Sequence, residues 1–179
     1  MEAESIGLLI VIVWGGLGVL ASYVWGVRGG EGGGAALWGG VPKRSWPVYT
    51  GSMFLSVIGF FAVLYYLFFE LTPGEVVIGG RVGFAVFFPI FVLILIPSAL
   101  WLRSTRFYLD APGTIRWLAV RLVLFLVGLA SIALVWVLFA LETEERGVAY
   151  WFAVGGSCYF AFHTFVLDAL VWAALTKKH

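Results

Sequence analysis

The sequence predicts an all-α integral membrane protein, a bundle of five transmembrane helices with the N-terminus outside and the C-terminus inside. Its 179 residues are 62% hydrophobic and 12% charged, whereas soluble domains are about 45 to 50% apolar and about 25% charged. Five stretches are long and apolar enough to cross a bilayer, and the basic residues collect on one side of them. Because the connections are short, we expect a single domain.

The five spans follow from length, since about 20 apolar residues are needed to cross roughly 30 Å of hydrocarbon. The stretches that qualify are residues 6–27, 48–69, 82–102, 115–141 and 147–175. Pro47 and Pro112 lie where helix starts are expected. Pro89 and Pro97 fall inside the third span, which predicts a kink or local unwinding there.

The basic residues set the predicted orientation, because cytoplasmic loops carry an excess of lysine and arginine. Only Arg81 and Arg146 lie on the side that the N-terminus shares. The other nine of the eleven lie on the opposite side: Arg28, Lys43, Arg44, Arg103, Arg106, Arg116, Arg121, Lys177 and Lys178. That side is therefore expected to be the inside.

The segment 28–47 joins the first two spans and has seven glycines in the twelve residues from Gly29 to Gly40. No strand precedes it and its lysine does not follow the phosphate-loop spacing, so a flexible connector is favoured over a phosphate site. Lys43, Arg44 and Trp46 are expected to contact lipid at the inner surface, where basic residues attract anionic head groups. An interfacial belt is predicted at the same level from five tryptophans: Trp25, Trp46, Trp101, Trp117 and Trp172.

Small residues at helical spacing predict close helix packing in the first two spans. The first span carries Gly18, Ser22 and Gly26, and the second carries Ser52, Ser56 and Gly59. Packing within the chain is favoured over an interface with another chain. The aromatic run from Phe60 to Phe69 is likewise interpreted as packing, because no convergent polar group accompanies the rings.

A polar centre is predicted inside the bundle from Arg121, Ser157, Thr164 and Asp168. The last three share one face of the fifth span at 3.6 residues per turn. A carboxylate in hydrocarbon costs about 2.5 to 3.5 kcal/mol on insertion scales, so Asp168 needs a partner, water or a proton. Arg121, at a similar depth in the fourth span, is the expected partner, and the pair would act as a buried tether between two helices.

His163 lies five residues before Asp168, about 140° around an ideal α-helix, so the two side chains are not expected to meet. A hydrogen bond to a neighbouring helix is the favoured role for this histidine. Axial ligation of chlorophyll or another tetrapyrrole stays open, although the sequence requires no cofactor. No nucleophile has a base at helical spacing and no metal-ligand cluster is visible, so neither a catalytic site nor a metal site is predicted.

Three functions follow from these patterns. The leading one is a non-catalytic accessory or assembly subunit of a larger membrane complex, in contact with lipids and other integral membrane proteins. The second is a proton or ion channel or transporter that uses Asp168, Arg121 and His163. The third is a lipid- or pigment-binding bundle with its site near His163. Nucleic acid is not an expected partner.

Overall fold

The structure is a computed structural model that describes residues 2–28, 33–143 and 146–176. In these ranges five helices, called here the first to fifth helix, are long and apolar enough to cross a membrane: Ala3–Arg28, Lys43–Glu70, Phe84–Asp110, Thr114–Ala140 and Val148–Thr176. The prediction of an all-helical bundle with five such helices is confirmed. The fourth and fifth helices agree with their predicted spans to one residue at each end, and the third runs past its predicted end at 102 to Asp110.

Three of the long helices are composite. The second comprises a 3-10 turn Lys43–Ser45, an α-helix Trp46–Tyr65 and a π-helix Tyr66–Glu70. The third comprises a 3-10 turn Phe84–Val86 and an α-helix Phe87–Asp110. The fifth comprises an α-helix Val148–Ala161, a π-helix Phe162–Trp172 and a last α-helical turn Ala173–Thr176.

The third helix remains α-helical through Pro97, so the predicted local unwinding does not occur there, and the alternative, a kink, stays a prediction. Pro89 lies in the first turn of its α-helix, where the missing backbone N–H would have no partner within the helix. After Pro97, the hydroxyl of Ser98 donates to the carbonyl of Ile94 at 2.6 Å. Proline is therefore accommodated inside the helix.

The helices pack in an order that differs from their order along the chain. The first packs against the third, the second against the fifth, and the fourth against both the third and the fifth. We call the end of the bundle that carries Ala3 the N-terminal end and the end that carries Thr176 the C-terminal end. At the N-terminal end, strand β1 (Val77–Ile78) pairs antiparallel with β2 (Leu141–Glu142), with Val77 opposite Glu142.

The buried apolar side chains form two clusters. The larger one lies towards the N-terminal end and includes Leu8, Phe87, Phe91 and Leu134. The smaller one lies towards the C-terminal end and includes Trp117, Leu124 and Trp172. Large apolar side chains also cover the outside of the bundle, such as Trp14, Phe54, Ile58, Leu122, Trp136 and Phe152. The helices of a bundle in water carry polar side chains on their outer faces. The apolar outer surface of this bundle therefore agrees with helices that are apolar enough to cross a membrane.

The described part of the glycine-rich segment is packed against the bundle, so the predicted flexible connector is wrong for residues 33–47. A short helix, Gly33–Ala36, leads into a turn in which Leu37 and Val41 are buried. A side chain at Gly40 would collide with the carbonyl of Leu175. The segment therefore covers the C-terminal end of the bundle.

The orientation of the bundle in a membrane stays a prediction. Of the residues on which it depends, Arg81 and Arg146 lie at the N-terminal end, and Arg28, Lys43 and Arg44 lie at the C-terminal end. Lys177 and Lys178 lie outside the described residues. The side chains of Lys43 and Arg44 are exposed, and their predicted contact with lipid stays a prediction.

Candidate functional site

A cavity of about 240 Å³ lies towards the C-terminal end, between the first, second, third and fifth helices. The packed glycine-rich segment closes part of it through Gly34, Leu37 and Trp38. Two ionisable side chains, His163 and Asp168, reach it from the fifth helix. Five aromatic side chains make up much of the remaining wall: Tyr23, Trp38, Tyr49, Trp101 and Trp172.

The aromatic wall is built from neighbouring rings that are tilted against one another. Ring centroids lie 6.1 Å apart between Tyr23 and Trp101, and 5.9 Å apart between Trp101 and Trp172. On the other side, Trp38 and Tyr49 make an edge contact at 6.3 Å. The Trp172 indole donates to the carbonyl of Leu37 at 3.1 Å. The indole of Trp172 is thus held by a hydrogen bond to the glycine-rich segment.

The predicted tryptophan belt is wrong for Trp117 and Trp172, and for its other three members it stays a prediction. Trp172 and Trp117 are buried, Trp101 lines the cavity, and Trp46 stacks on Trp38 at 4.9 Å. Trp25 is 53% exposed and does face outward. Tryptophan suits both an interface and a buried wall, because its ring is apolar and its N–H can find a partner. The position of a tryptophan along the chain therefore does not show whether it lies at the membrane interface or in a buried wall.

The π-helix brings His163 and Asp168 together, so the prediction that their side chains diverge is wrong. His163 Nε2 lies 3.7 Å from Asp168 Oδ2. The prediction assumed 3.6 residues per turn, but a π-helix bonds each residue to the fifth one along, which places residues five apart on successive turns of one face. Both residues lie within the π-helical segment Phe162–Trp172. π-helical turns are rare in proteins, and those that occur are often located at functional sites.

Hydrogen bonds hold His163 from the second helix. Ser52 Oγ lies 2.9 Å from His163 Nδ1, and the Tyr159 hydroxyl donates to Ser52 Oγ at 3.0 Å. Ser52 accepts from Tyr159 and has one proton of its own; in the tautomer in which that proton is donated to Nδ1, the proton of a neutral imidazole lies on Nε2, facing Asp168. This is the bond to a neighbouring helix that the sequence predicts for His163. The chain of contacts orients the imidazole towards the carboxylate.

The grouping of Ser52, His163 and Asp168 does not suit nucleophilic catalysis. Ser52 is 6% exposed and lies within the α-helix Trp46–Tyr65, where backbone N–H groups are used by the helix and cannot stabilise an oxyanion. The His163–Asp168 distance of 3.7 Å is also longer than a hydrogen bond. The arrangement can instead position a carboxylate at a cavity wall.

The predicted pair between Arg121 and Asp168 is not formed. Within the described ranges, the ion-pair contact of Asp168 is with His163. The guanidinium of Arg121 lies over the ring of Phe125, with its Cζ 4.9 Å from the ring centroid. An arginine near the end of a helix has a long side chain that can turn to an aromatic face or to the interface, so depth alone did not identify its partner.

Ser157 and Thr164 are buried, but they lie apart from the ion-pair contact. The Thr164 hydroxyl donates to Ser131 Oγ at 3.1 Å and the Ser157 hydroxyl to the carbonyl of Val154 at 2.8 Å. The four residues of the predicted polar centre are therefore divided among separate contacts. His163, placed outside that centre by the sequence, is the direct neighbour of Asp168.

The small residues lie where helices cross. An ideal Cβ on Gly26 would be 3.0 Å from Leu102 Cβ in the third helix, and one on Gly18 would be 3.8 Å from Ala99 Cβ. A Cβ on Gly59 would be 2.5 Å from the carbonyl oxygen of Gly156 in the fifth helix. The hydroxyls of Ser22 and Ser56 donate to carbonyls of their own helices.

Sequence reasoning missed Arg106, which is 4% exposed in the third helix. Its Nη2 donates to the carbonyls of Gly26 and Gly33, each at 2.7 Å, and its Nε to Gly26 at 3.2 Å. It therefore caps the end of the first helix and holds the start of the segment that closes the cavity. The sequence does contain a signal for the burial of Arg106. Phe91, Leu95, Leu102 and Arg106 follow one another at spacings of four, seven and four residues, which places them on one face of the helix.

A larger depression, of about 770 Å³, lies at the N-terminal end between the second and fifth helices. Its carboxylate, Glu70, is exposed at the end of a helix, where a charge costs least. Asp168 belongs to the interior of the bundle, where a charge needs a specific reason. The smaller cavity is therefore the better candidate for a site.

No group of three or more potential ligands for a metal ion occurs among residues 2–28, 33–143 and 146–176. The fold and the cavity define a helical bundle with five candidate membrane spans and an aromatic site between them. Neither a family model, a curated protein nor a solved structure matches the chain.

Proposed function

We propose that this protein is an integral membrane protein that binds a small molecule in the cavity beside His163 and Asp168. The observation that carries the proposal is the convergence of five aromatic rings and one ionisable pair on a single cavity of about 240 Å³. Sites for small molecules are usually largely apolar cavities with a few placed polar groups, and they occur between the helices of bundles. The binding role is proposed as non-catalytic.

The size of the cavity favours a small ligand over a tetrapyrrole. Pockets for drug-sized molecules measure about 300 to 1,000 Å³, and this one is smaller. The imidazole also has neighbours at both nitrogens, Ser52 at Nδ1 and Asp168 at Nε2. Axial ligation would require the ring to leave one of them, so the pigment alternative has less support.

The proposal is tested by purifying the full chain in mild detergent and identifying bound small molecules by native mass spectrometry and by a thermal-shift screen. We expect the wild type to retain or acquire a ligand that raises its melting temperature. Trp101→Leu, which removes a ring from the wall, should lose this stabilisation. Trp25→Leu, a matched change at an outward-facing tryptophan, should keep it. A wild type that neither carries nor binds any molecule would contradict the proposal.

A second candidate is the accessory or assembly subunit of a membrane complex. It is supported by the first helix, whose buried residues are confined to Ser5, Leu8, Ile12 and Gly26. The remaining surface of that helix is large and apolar, with Trp14 71% exposed and Leu20 65% exposed, and such patches suit a protein partner as well as lipid. Cross-linking in native membranes from a position on this face, followed by mass spectrometry, distinguishes a protein partner from lipid. Capture of one stoichiometric membrane protein supports the subunit role, and capture of lipid alone contradicts it.

The conduction alternative has less support. A route for protons or ions through the bundle needs polar groups along its length. The chain of Tyr159, Ser52, His163 and Asp168 lies beside the cavity, whereas the N-terminal half of the interior is filled by apolar side chains such as Leu8, Phe91 and Leu134.

A further inference from the structure

The cavity encloses one carboxylate among aromatic rings, and this combination selects a class of ligand. We infer that the ligand is a small organic cation, an alkylammonium or quaternary ammonium group, held by Asp168 inside the ring of Tyr23, Trp38, Tyr49, Trp101 and Trp172. The inference rests on the proposed function and adds the chemistry of its ligand.

The rings offer what an ammonium group needs. The face of an aromatic ring is electronegative, so it attracts a cation within about 6 Å of its centroid, most strongly for tryptophan, and quaternary ammonium ligands are bound in aromatic cages of this kind. Here Trp101 is inclined at 56° to Tyr23 and at 80° to Trp172. Rings inclined in this way form adjoining sides of a cage, whereas Trp38, which is stacked on Trp46, has one face covered.

The charge of Asp168 is not cancelled by a basic residue of the described chain. Its ion-pair contact is with His163 alone, and Arg121 is engaged with Phe125. In the tautomer in which the Ser52 hydroxyl donates to Nδ1 of His163, the imidazole is neutral, and its Nε2 lies 3.7 Å from the carboxylate, beyond hydrogen-bond distance. A carboxylate in the interior of a membrane bundle calls for a partner of opposite charge. An occupant of the cavity would supply that charge.

Other classes of ligand fit less well. A metal ion needs several oxygen or nitrogen ligands, and the described residues place no group of three at any point. An anion would be repelled by Asp168, and a neutral apolar molecule would leave the carboxylate without a partner. At about 30 Å³ for each water-sized unit, a cavity of about 240 Å³ holds roughly eight non-hydrogen atoms. This is the size of a choline group, supplied either as a free molecule or as the head group of a lipid.

The test compares choline with 3,3-dimethylbutan-1-ol, which has the same shape with carbon in place of the charged nitrogen. Binding is measured by calorimetry on the full chain in nanodiscs of phosphatidylglycerol, which contains no choline. We expect choline to bind at least about tenfold more tightly than the neutral probe, and Asp168→Asn to reduce this difference to what the aromatic rings alone provide. Asp168→Glu should keep it. Asp110→Asn, the matched change at the exposed end of the third helix, should also keep it.

The outcomes separate this inference from the proposed function. Equal binding of the two probes, or discrimination that is undiminished in Asp168→Asn, overturns the inference and leaves the proposed function in place. Failure of both probes while another molecule occupies the protein overturns the inference alone. Failure of both probes with no bound molecule of any kind overturns both. If Asp168→Asn does not fold, Trp101→Leu and Trp25→Leu are compared with both probes: loss of the ring of Trp101 should weaken choline binding more than binding of the neutral probe, and an equal loss for the two probes overturns the inference.

The two sources of the cation are distinguished by the lipid. In nanodiscs of phosphatidylcholine, a site filled by the head group of the lipid makes the apparent affinity for free choline fall at least about tenfold by competition. Unchanged affinity identifies a free cation as the ligand.

Discussion

The two halves of the bundle are built in different ways. Towards the N-terminal end, the interior is filled by close-packed side chains, the backbones of Gly59 and Gly156 touch, and a two-stranded sheet joins two loops. Towards the C-terminal end, the fifth helix is π-helical, polar groups are linked in a chain, and a cavity remains. Dense packing gives stability, whereas a cavity lined by fixed polar and aromatic groups gives a place to bind. In the proposed function, one half of the bundle holds the helices together and the other half binds the ligand.

The largest effect is expected where the second and fifth helices touch in the N-terminal half. Gly156→Ala places a methyl group 2.5 Å from the carbonyl oxygen of Gly59, and neither helix can move aside without opening the core. We expect the free energy of unfolding to fall by about 3 kcal/mol, the upper end for overpacking, in detergent unfolding measured by circular dichroism. Gly155→Ala is the control, because a Cβ there meets nothing within 4 Å. Equal stability of the two variants would contradict the view that close helix packing in the N-terminal half stabilises the bundle.

The next effect is expected at Arg106, which holds the covering segment on the C-terminal half. Arg106→Ala removes the donors to the carbonyls of Gly26 and Gly33. Because hydrogen bonds from a charged group are worth about 1.5 to 3 kcal/mol, we expect a loss of roughly 2 kcal/mol in unfolding free energy and faster proteolysis after residue 33. Arg103→Ala changes an exposed arginine of the same helix and should do neither. If both substitutions behave alike, Arg106 does not fix the segment.

The smallest effect on stability is expected at Ser52, in the C-terminal half. Ser52→Ala leaves His163 Nδ1 and the Tyr159 hydroxyl without their common partner, at a cost of about 1 kcal/mol. Ligand affinity should fall more clearly than stability, because the imidazole is no longer oriented towards Asp168. Ser56→Ala, which removes a hydroxyl bonded to its own helix, should leave the affinity measured by calorimetry unchanged. A drop in stability without a drop in affinity would show that the chain of hydrogen bonds serves packing alone.

Hydropathy was sufficient to predict the five long helices, because the requirement for about 20 apolar residues is local in sequence. The site depended on information that is not local. An i to i+5 helix is not recognisable in the segment Phe162–Trp172, so the contact between His163 and Asp168 was missed and Arg121 was chosen in error. Nor does composition show that a glycine-rich segment will pack against the bundle. The need for glycine at position 40 follows only from the fold, because a side chain there would collide with the carbonyl of Leu175.

The short sheet at the N-terminal end has a consequence for motion. Backbone hydrogen bonds between Val77–Ile78 and Leu141–Glu142, together with the bond from the Gly80 N–H to the Glu142 carboxylate at 2.8 Å, tie the loop before the third helix to the loop after the fourth. Because a segment opens locally where few bonds hold it, this sheet couples the motions of the two loops. Amide hydrogen exchange should therefore be slower at Ile78 than in the parts of these loops outside the sheet, so that the two loops move as one unit.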